Sequence, residues 1–163
     1  MDGAAQFAEV RLRVDAEDPS DLALLHEAAA EVPGVRVEDT GEAGILPILA
    51  VILVGSGIAV VGAVAAWVRN RSKHGMIVDL RPDVPKDDLV RTDPDIPFGL
   101  IVVLLKDGKV EVQAKNPAND LVDLAKAIFE KLAEGVAKPL DTAAKAIAEA
   151  VGDKASVKTA ATA

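Results

Sequence analysis

The sequence predicts an α+β protein in which a β-α-β unit precedes one long apolar helix, a three-strand β segment and C-terminal helices. The first observation behind this prediction is that no charged residue lies between Glu42 and Arg69. Within that stretch, Ile45–Trp67 covers 23 positions (45 to 67) with Ser56 as its single polar side chain. The other two observations are a strand-helix-strand pattern before the stretch and hairpin and helix patterns after it.

Residues 1–44 form the predicted β-α-β unit. Apolar and polar side chains alternate over Phe7–Val14, which indicates a half-buried strand. Ser20 is the expected cap of the helix that follows, and Pro33-Gly34 ends it. The second strand of the unit is expected at Val35–Val37.

Residues 45–68 form the predicted hydrophobic helix, which we interpret as transmembrane. At about 1.5 Å per residue, such a helix spans the roughly 30 Å hydrocarbon core of a bilayer. Basic residues 69–73 follow it and place the C-terminal part in the cytoplasm, so the inner (cytoplasmic) membrane is the expected location. The alternative is a helix buried in a soluble oligomer, because a helix that is apolar on all sides must be covered.

Small residues recur along this predicted helix at four-residue spacing. In lipid, such a stripe lets two helices approach closely. We therefore predict a homo-oligomer whose helix-packing interface comprises Gly55, Ala59, Gly62, Ala63 and Ala66.

Residues 69–138 supply the strands and helix that complete the predicted domain, and residues 139–163 add a short amphipathic helix and a mobile tail. Lys106–Lys109 contains an Asp-Gly pair typical of a hairpin turn, and apolar spacing from Leu121 to Val136 predicts a helix. Because neither β piece has enough apolar area for a core of its own, we expect both to share one sheet. Strands are predicted at 75–80, 100–105 and 110–114, and a loop at 81–97.

The composition excludes several classes of site and partner. The chain contains no cysteine, so disulfides, thiolate nucleophiles and cysteine-ligated metals are absent. Its net charge is 18 − 26 = −8 and aromatic residues make up 2%. Nucleic-acid backbones are bound by clustered Lys and Arg, so no nucleic-acid partner is predicted.

No catalytic residue, cofactor or metal ligand is predicted, and we do not expect an enzyme. His26 and His74 are the only histidines, and nothing in the sequence positions a serine beside either of them. One loop holds several acids that could offer oxygen ligands to a hard cation, but their spacing is not that of an EF-hand. These acids are Asp83, Asp87, Asp88, Asp93 and Asp95.

A dinucleotide-binding fold is another interpretation of the apolar stretch. Val51–Val60 has the pattern of a strand entering a Gly-x-Gly turn, and Asp79 stands where an acid could bind a ribose. Three features oppose this interpretation. Val60 occupies the third glycine position, Ile58–Trp67 lacks a polar side, and few strands remain for a doubly wound sheet.

Three segments carry a resemblance to a known family: the helix region DPSDLALLHEAAAEVPGV, the apolar run ending in Trp67–Arg71, and the hairpin LIVVLLKDGKVEVQA. Over roughly residues 7–136 the layout resembles the actinobacterial effector-associated constant components. That resemblance implies a non-enzymatic part of a bacterial conflict (defence) system that accompanies variable effectors such as proteases. It implies no catalytic residues.

The function expected from the sequence is that of a non-enzymatic, membrane-associated adaptor or scaffold. Its expected partners are the lipid bilayer, further copies of itself and an unidentified effector protein. The alternative function is a self-assembling effector that forms pores or damages membranes, with a dinucleotide-binding protein as the third hypothesis.

Overall fold

The computed structural model describes residues 9–39, 50–82, 89–133 and 139–161. In these ranges the helices are α1 (Pro19–Glu31), α2 (Gly57–Arg71), α3 (Pro117–Ala133) and α4 (Leu140–Val151). The strands are β1 (Val10–Asp15), β2 (Arg36–Asp39), β3 (Ala50–Gly55), β4 (His74–Asp79), β5 (Val90–Pro97), β6 (Leu100–Leu105), β7 (Gly108–Ala114) and β8 (Ala155–Ala161).

The strands form two sheets. The N-terminal sheet has the order β1-β3-β2 and is antiparallel. The C-terminal sheet has the order β5-β4-β6-β7-β8, in which only the β4–β6 pair is parallel. Among the described residues, the strands with one edge that has no hydrogen-bonded neighbour are therefore β1, β2, β5 and β8.

The four helices pack side by side in chain order, and α2 is enclosed on all sides. It lies between α1 and α3 and also contacts strands of both sheets. Eleven of its 15 residues are buried, and they join side chains from both sheets in one hydrophobic core. Burial of that kind explains why no polar side interrupts the sequence of this helix.

The predicted transmembrane helix is wrong, because the apolar stretch contains two elements. Ala50–Gly55 is the central strand of the N-terminal sheet, and the helix begins only at Gly57. Ser56 separates them as the helix cap, and its hydroxyl accepts a hydrogen bond from the N–H of Ala59 (3.3 Å). Residues 45–49 lie outside the described residues.

Within the described ranges, no helix combines the length and apolarity needed to cross a bilayer. The membrane and transmembrane-helix descriptions drawn from the sequence are therefore corrected. The α+β content agrees with the structure, but the long apolar helix and the three-strand segment do not.

Two segments predicted to be irregular are strands. Val90–Pro97 lies in the predicted loop but pairs with β4, and Ala155–Ala161 lies in the predicted mobile tail but pairs with β7. The single shared sheet is also wrong, since the two β regions form separate sheets over a common core. The apolar face predicted for α3 is confirmed at Leu121, Leu124, Ile128 and Leu132, which are all buried, while Val136 lies outside the described residues.

Candidate functional site

A cleft lies where the edge of the N-terminal sheet faces the edge of the C-terminal sheet. Its volume is about 210 Å³. Each edge contributes three consecutive residues, Arg13–Asp15 from β1 and Val90–Thr92 from β5, and α2 contributes Val64 and Trp67. The cleft thus has backbone edges on two sides and apolar helix side chains beneath them.

At the β5 edge, the backbone groups of Val90 and Thr92 point away from β4. The N–H of Asp79 donates to the carbonyl of Leu89 (2.7 Å), which marks a hydrogen-bonded pair in the antiparallel β4–β5 register. Along an antiparallel ladder, hydrogen-bonded pairs alternate with pairs that exchange no hydrogen bonds. The pair of Val78 with Val90 and the pair of Met76 with Thr92 exchange none. The N–H and C=O groups of Val90 and Thr92 therefore point away from β4, toward the cleft.

Proline limits the open part of this edge. Pro94 stands two positions after Thr92 in β5 and has no N–H to donate. Proline is tolerated within sheets at edge positions of this kind. The edge thus offers a short stretch, ending near Thr92, rather than a long template for aggregation.

The β1 edge alternates strictly between buried and exposed side chains. Val10, Leu12 and Val14 face the helices and are buried, whereas Arg13 and Asp15 face outward. The guanidinium of Arg13 contacts the carboxylate of Asp15 (3.2 Å) on that outer side. The cleft consequently has a charged outer side and a largely apolar inner side. The inner side is lined by Val14, Val64, Trp67, Val90 and the uncharged Thr92.

Trp67 is held firmly at the base of the cleft. Its indole N–H donates to the Asp21 carboxylate (3.0 Å) and carbonyl (3.3 Å), which fixes α2 to the first turn of α1. The Arg71 guanidinium lies 4.4 Å from the ring centroid, within range of a cation–π contact. The ring is 2% exposed, so it forms a rigid wall rather than a mobile side chain.

A polar cluster at the end of α2 balances the charge beside Trp67. The buried Arg71 guanidinium contacts Asp21 (2.9 Å) and Glu17 (3.0 Å). Arg71 is the main cause of the lowered pKa of Glu17, and Lys73 and His74 also lower it, while burial opposes them. Because the side chains come from α1 and α2 and from the start of β4, the cluster joins three elements.

A second buried carboxylate anchors β5 against β4. Asp79 has a fully buried side chain that accepts two hydrogen bonds from Arg81 (2.9 and 2.6 Å) and one from Arg91 (3.2 Å). Burial raises the pKa of Asp79, but the hydrogen bonds from Arg81 and Arg91 outweigh it and the pKa is lowered. Arg91 also lines the cleft, so this network positions one rim of it.

The predicted small-residue interface lies inside the chain. Gly55 belongs to β3, and Ala59, Ala63 and Ala66 are buried in α2. A Cβ at Gly62 would come within 3.0–3.2 Å of the Lys126 side chain and 3.5 Å of Val32. Close helix approach is therefore the structural role of Gly62, but its neighbours are α1 and α3 of the same chain.

The candidate catalytic and metal residues that the structure describes do not come together. His26 is exposed on α1, while His74 lies 3.5 Å from Glu17 in the polar cluster. Across the described parts of the chain, no three His, Cys, Asp or Glu side chains are placed to share a metal ion. Asp93 and Asp95 lie in β5, and the predicted loop acids Asp83, Asp87 and Asp88 lie outside the described residues.

The dinucleotide interpretation predicted a strand, a turn and a helix in succession, and β3 and α2 have this arrangement. It also predicted a parallel β-α-β unit, which the described residues do not form. β3 and β4, which flank α2, belong to different sheets, and β3 pairs only with antiparallel strands in the described residues. Asp79 is bonded to two arginines rather than standing free beside Gly57.

No family model, curated protein or solved structure matches this chain. The resemblance to effector-associated constant components stays a prediction based on the layout of the sequence. The cleft itself was missed by sequence reasoning, because β5 was assigned to a loop. The one available signal was Val90–Thr92, a short β-branched and charged alternation just before Pro94.

Proposed function

We propose that this protein is a non-enzymatic adaptor that binds a partner protein at the cleft between its two sheets. The observation that carries the proposal is the pair of strand edges facing one another across an apolar base. Proteins normally pair, cover or blunt such edges, because unpaired backbone groups attract other strands. A short edge that has no partner strand among the described residues is therefore suited to a specific contact.

The residues of the cleft favour a site for protein recognition over a site of catalysis. Its base is formed in part by Trp67, which is 2% exposed and supports the cleft as a fixed wall. Trp67 is already oriented by Asp21 and Arg71, so little side-chain freedom is lost on binding. Arginines at the rim, Arg13 and Arg91, add the charged border that surrounds many interface centres.

The biological setting follows from the resemblance alone. If the chain is an effector-associated constant component, its partner is the effector of a bacterial conflict system. The cleft would then be the surface common to different effectors.

Site-specific photocrosslinking in producing cells tests this proposal. A photoreactive amino acid replaces Asp15 at the rim of the cleft, and the matched control replaces Glu130, an exposed residue of α3. We expect an adduct of one defined mass from position 15 and none from position 130. The captured protein is then purified and titrated against the purified wild-type chain.

Variants decide whether the captured protein uses the cleft. Thr92→Trp fills the cleft and is expected to weaken binding at least tenfold, whereas Glu130→Trp leaves it unchanged. Equal adducts at positions 15 and 130, or unchanged binding by the Thr92→Trp variant, would contradict the proposal.

A further inference from the structure

We infer that the outer edge of β8 is a second binding surface, which takes an extended segment of another protein with acidic side chains at every second position. This surface goes beyond the proposed function, because it lies apart from the cleft. β5 and β8 are the outermost strands of the C-terminal sheet, with three strands between them. At about 4.8 Å from strand to strand, the two edges are roughly 19 Å apart, so each can bind a partner of its own.

β8 is the least protected of the strands that end a sheet in the described parts of the chain. Three of the six residues of β1 and three of the four residues of β2 are charged, and Pro94 interrupts the edge of β5. β8 has seven residues, no proline and Lys158 as its single charge. Charges, proline and a short length are the devices that keep edge strands from pairing. Because β8 has the fewest of them, its edge is suited to a partner strand.

The register of β8 with β7 directs backbone groups of Val157 and Thr159 away from the sheet. The N–H of Lys115 donates to the carbonyl of Lys154 (2.9 Å) at the start of this antiparallel ladder. Hydrogen-bonded pairs alternate along such a ladder, so Val157 and Thr159 exchange no hydrogen bonds with the residues opposite them in β7. Each residue therefore offers an N–H and a C=O to a further strand, as in recognition by strand addition.

The edge of β8 is exposed to solvent over residues 156–160. Ser156, Lys158, Thr159 and Ala160 are exposed, and Val157 is half-buried. Five residues of an extended strand span about 16 Å at 3.3 Å per residue. A partner strand of this length therefore reaches the backbone of β8 without displacing a core side chain.

Lysine side chains at this edge favour an acidic partner. Lys158 lies on the outer face of the sheet, opposite Glu111 of β7, but the Glu111 carboxylate contacts Lys109 (3.2 Å). Lys154 is exposed just before β8, and among the described residues neither Lys154 nor Lys158 has an ion-pair partner. Opposite charges on neighbouring strands attract. Acidic residues are therefore expected in the partner on the same face as Lys158.

The same lysines disfavour a second copy of this chain as the occupant. Antiparallel pairing of two β8 strands would bring Lys154 and Lys158 of both copies into one short ladder. Like charges that face one another across paired strands are destabilising. An acidic segment of another protein meets the same lysines with the opposite sign, and we therefore infer this occupant.

The alternation of side chains along a strand fixes the rest of the pattern. Successive side chains point to opposite faces, so acids beside Lys158 leave the intervening residues beside Val157. Val157 packs against the core on the side of α4. β-branched residues suit that side, because they pack well against neighbours on a pleated surface. The expected segment thus alternates Asp or Glu with Val, Ile or Thr over about five residues.

Three displayed peptide libraries test this pattern against the full-length chain. The first contains nine-residue segments that alternate Asp or Glu with Val, Ile or Thr. The second has Lys or Arg in place of the acids, and the third keeps the composition of the first but groups the acids together. We expect enrichment of the first library alone. Failure of the first library, or equal recovery of the second or the third, would overturn the inference.

Charge variants locate the best peptide of the first library on the protein. Lys158→Glu should weaken its binding at least tenfold. Lys145→Glu makes the same change of net charge at an exposed position of α4 and should change the affinity less than threefold. Thr92→Trp in the cleft should leave it unchanged. An affinity that is insensitive to Lys158→Glu, or that is lost in the Thr92→Trp variant, would place the peptide elsewhere and overturn the inference.

Backbone pairing is tested first on the peptide. N-methylation of every second residue removes the N–H groups of one edge, and we expect about a tenfold loss of affinity for one of the two methylation patterns, as for one or two lost hydrogen bonds. Hydrogen exchange of the wild-type chain should slow at Val157 and Thr159 when the unmethylated peptide binds. Tolerance of both methylation patterns, or unchanged exchange at these two amides, would overturn strand addition.

A proline variant tests the same hydrogen bonds from the side of the protein. Thr159→Pro removes an outward N–H of β8 without removing a bond to β7, and Thr159→Val is the matched control that keeps it. The expected result is at least a tenfold loss for proline and less than a threefold change for valine. Equal effects would contradict backbone pairing. Should Thr159→Pro fail to fold, hydrogen exchange of the wild-type chain decides the question.

Sedimentation with and without the peptide identifies the occupant of the edge. We expect each chain to bind one peptide with no change in its association state. A dimer that dissociates when the peptide is added would show that a second copy occupies the β8 edge, and would overturn the inferred partner. The crosslink at position 15 tests the cleft separately, so failure at one surface is distinguishable from failure at the other.

Discussion

α2 and α3 pack against each other, but they are covered to very different extents. In α2 every residue from Ala59 to Val68 is buried. In α3 buried leucines and isoleucine alternate with exposed or partly exposed residues such as Asp123 and Glu130. The difference follows from position, because α2 has helices on both sides and strands of both sheets against it. Uniform apolarity in a helix thus reports the number of covered sides, not the kind of surroundings that cover them.

The largest difference in stability between variants of the two helices should come from placing a lysine in each. Val61 is fully buried in α2, so Val61→Lys places an unpaired charge in the core and should cost more than about 3 kcal/mol of unfolding free energy. Glu130→Lys on the exposed side of α3 should change it by less than about 0.5 kcal/mol. Urea unfolding of both variants measures the difference, and similar costs would contradict the enclosed position of α2.

The loss of the Trp67 N–H should have an intermediate effect. Trp67→Phe leaves the buried Asp21 carboxylate without one of its donors and should lower stability by about 1–3 kcal/mol. In α3, Ile128→Val removes one methylene without touching a hydrogen bond and should cost about 0.5–1.5 kcal/mol. Thermal unfolding compares them. A Trp67→Phe cost smaller than that of Ile128→Val would show that the indole bond contributes little.

Acid should loosen the C-terminal end of α2 before it affects α3. The pKa of Glu17 lies below its ordinary value of 4.5, chiefly because of Arg71. A lowered pKa in the folded state means that the contact stabilises the protein above pH 4.5 and is lost as the pH falls through the lowered value. Glu17→Gln should flatten this part of the stability profile, which urea unfolding at a series of pH values measures. Because Glu17 is exposed, added salt should reduce the effect.

The smallest expected effect is at Gly62, where α2 meets the Lys126 side chain of α3. Gly62→Ala gains up to about 1 kcal/mol of helix propensity, and the new methyl group displaces only the flexible stem of Lys126. We expect stability within about 1 kcal/mol of wild type, whereas Ala125→Gly on α3 should lose about 1 kcal/mol. A cost above about 2 kcal/mol for Gly62→Ala would mean that the α2–α3 spacing is rigid.

Periodicity located the elements with one exposed side, and short apolar runs located the buried strands β4 and β6, but the covered stretch of residues 50–71 was not divided into its strand and helix. β1, β7 and α3 have such a side, and the alternation of their side chains located them correctly. Ala50–Gly55 and Gly57–Arg71 are covered on nearly every side, so their sequences show no period, and the join between them was missed. Gly55-Ser56-Gly57 was the local signal, since a capping serine between glycines interrupts a helix more readily than it bends one.

The edge strands were missed for a different reason. β5 carries two prolines, and β8 contains three alanines and only one larger apolar residue, Val157, so neither has the apolar content of an internal strand. β5 and β8 become strands because their backbone groups pair with those of β4 and β7, respectively. A local sequence pattern does not show these partners. The candidate site could not be predicted from sequence, because it is formed where two sheets end and that meeting point is set by the packing of α2.

The enclosure of α2 also has a consequence for synthesis on the ribosome. The apolar strand and helix of residues 50–71 leave the ribosome before α3, whose first residue, Pro117, follows Arg71 by 46 positions. At about 5–20 residues per second, the nascent chain exposes this stretch for about two to nine seconds before its last covering helix begins to emerge. During that interval it has the composition that membrane-insertion machinery and chaperones recognise. Early pairing of β3 with β1 and β2, all of which precede the helix, would commit the segment to the folded domain.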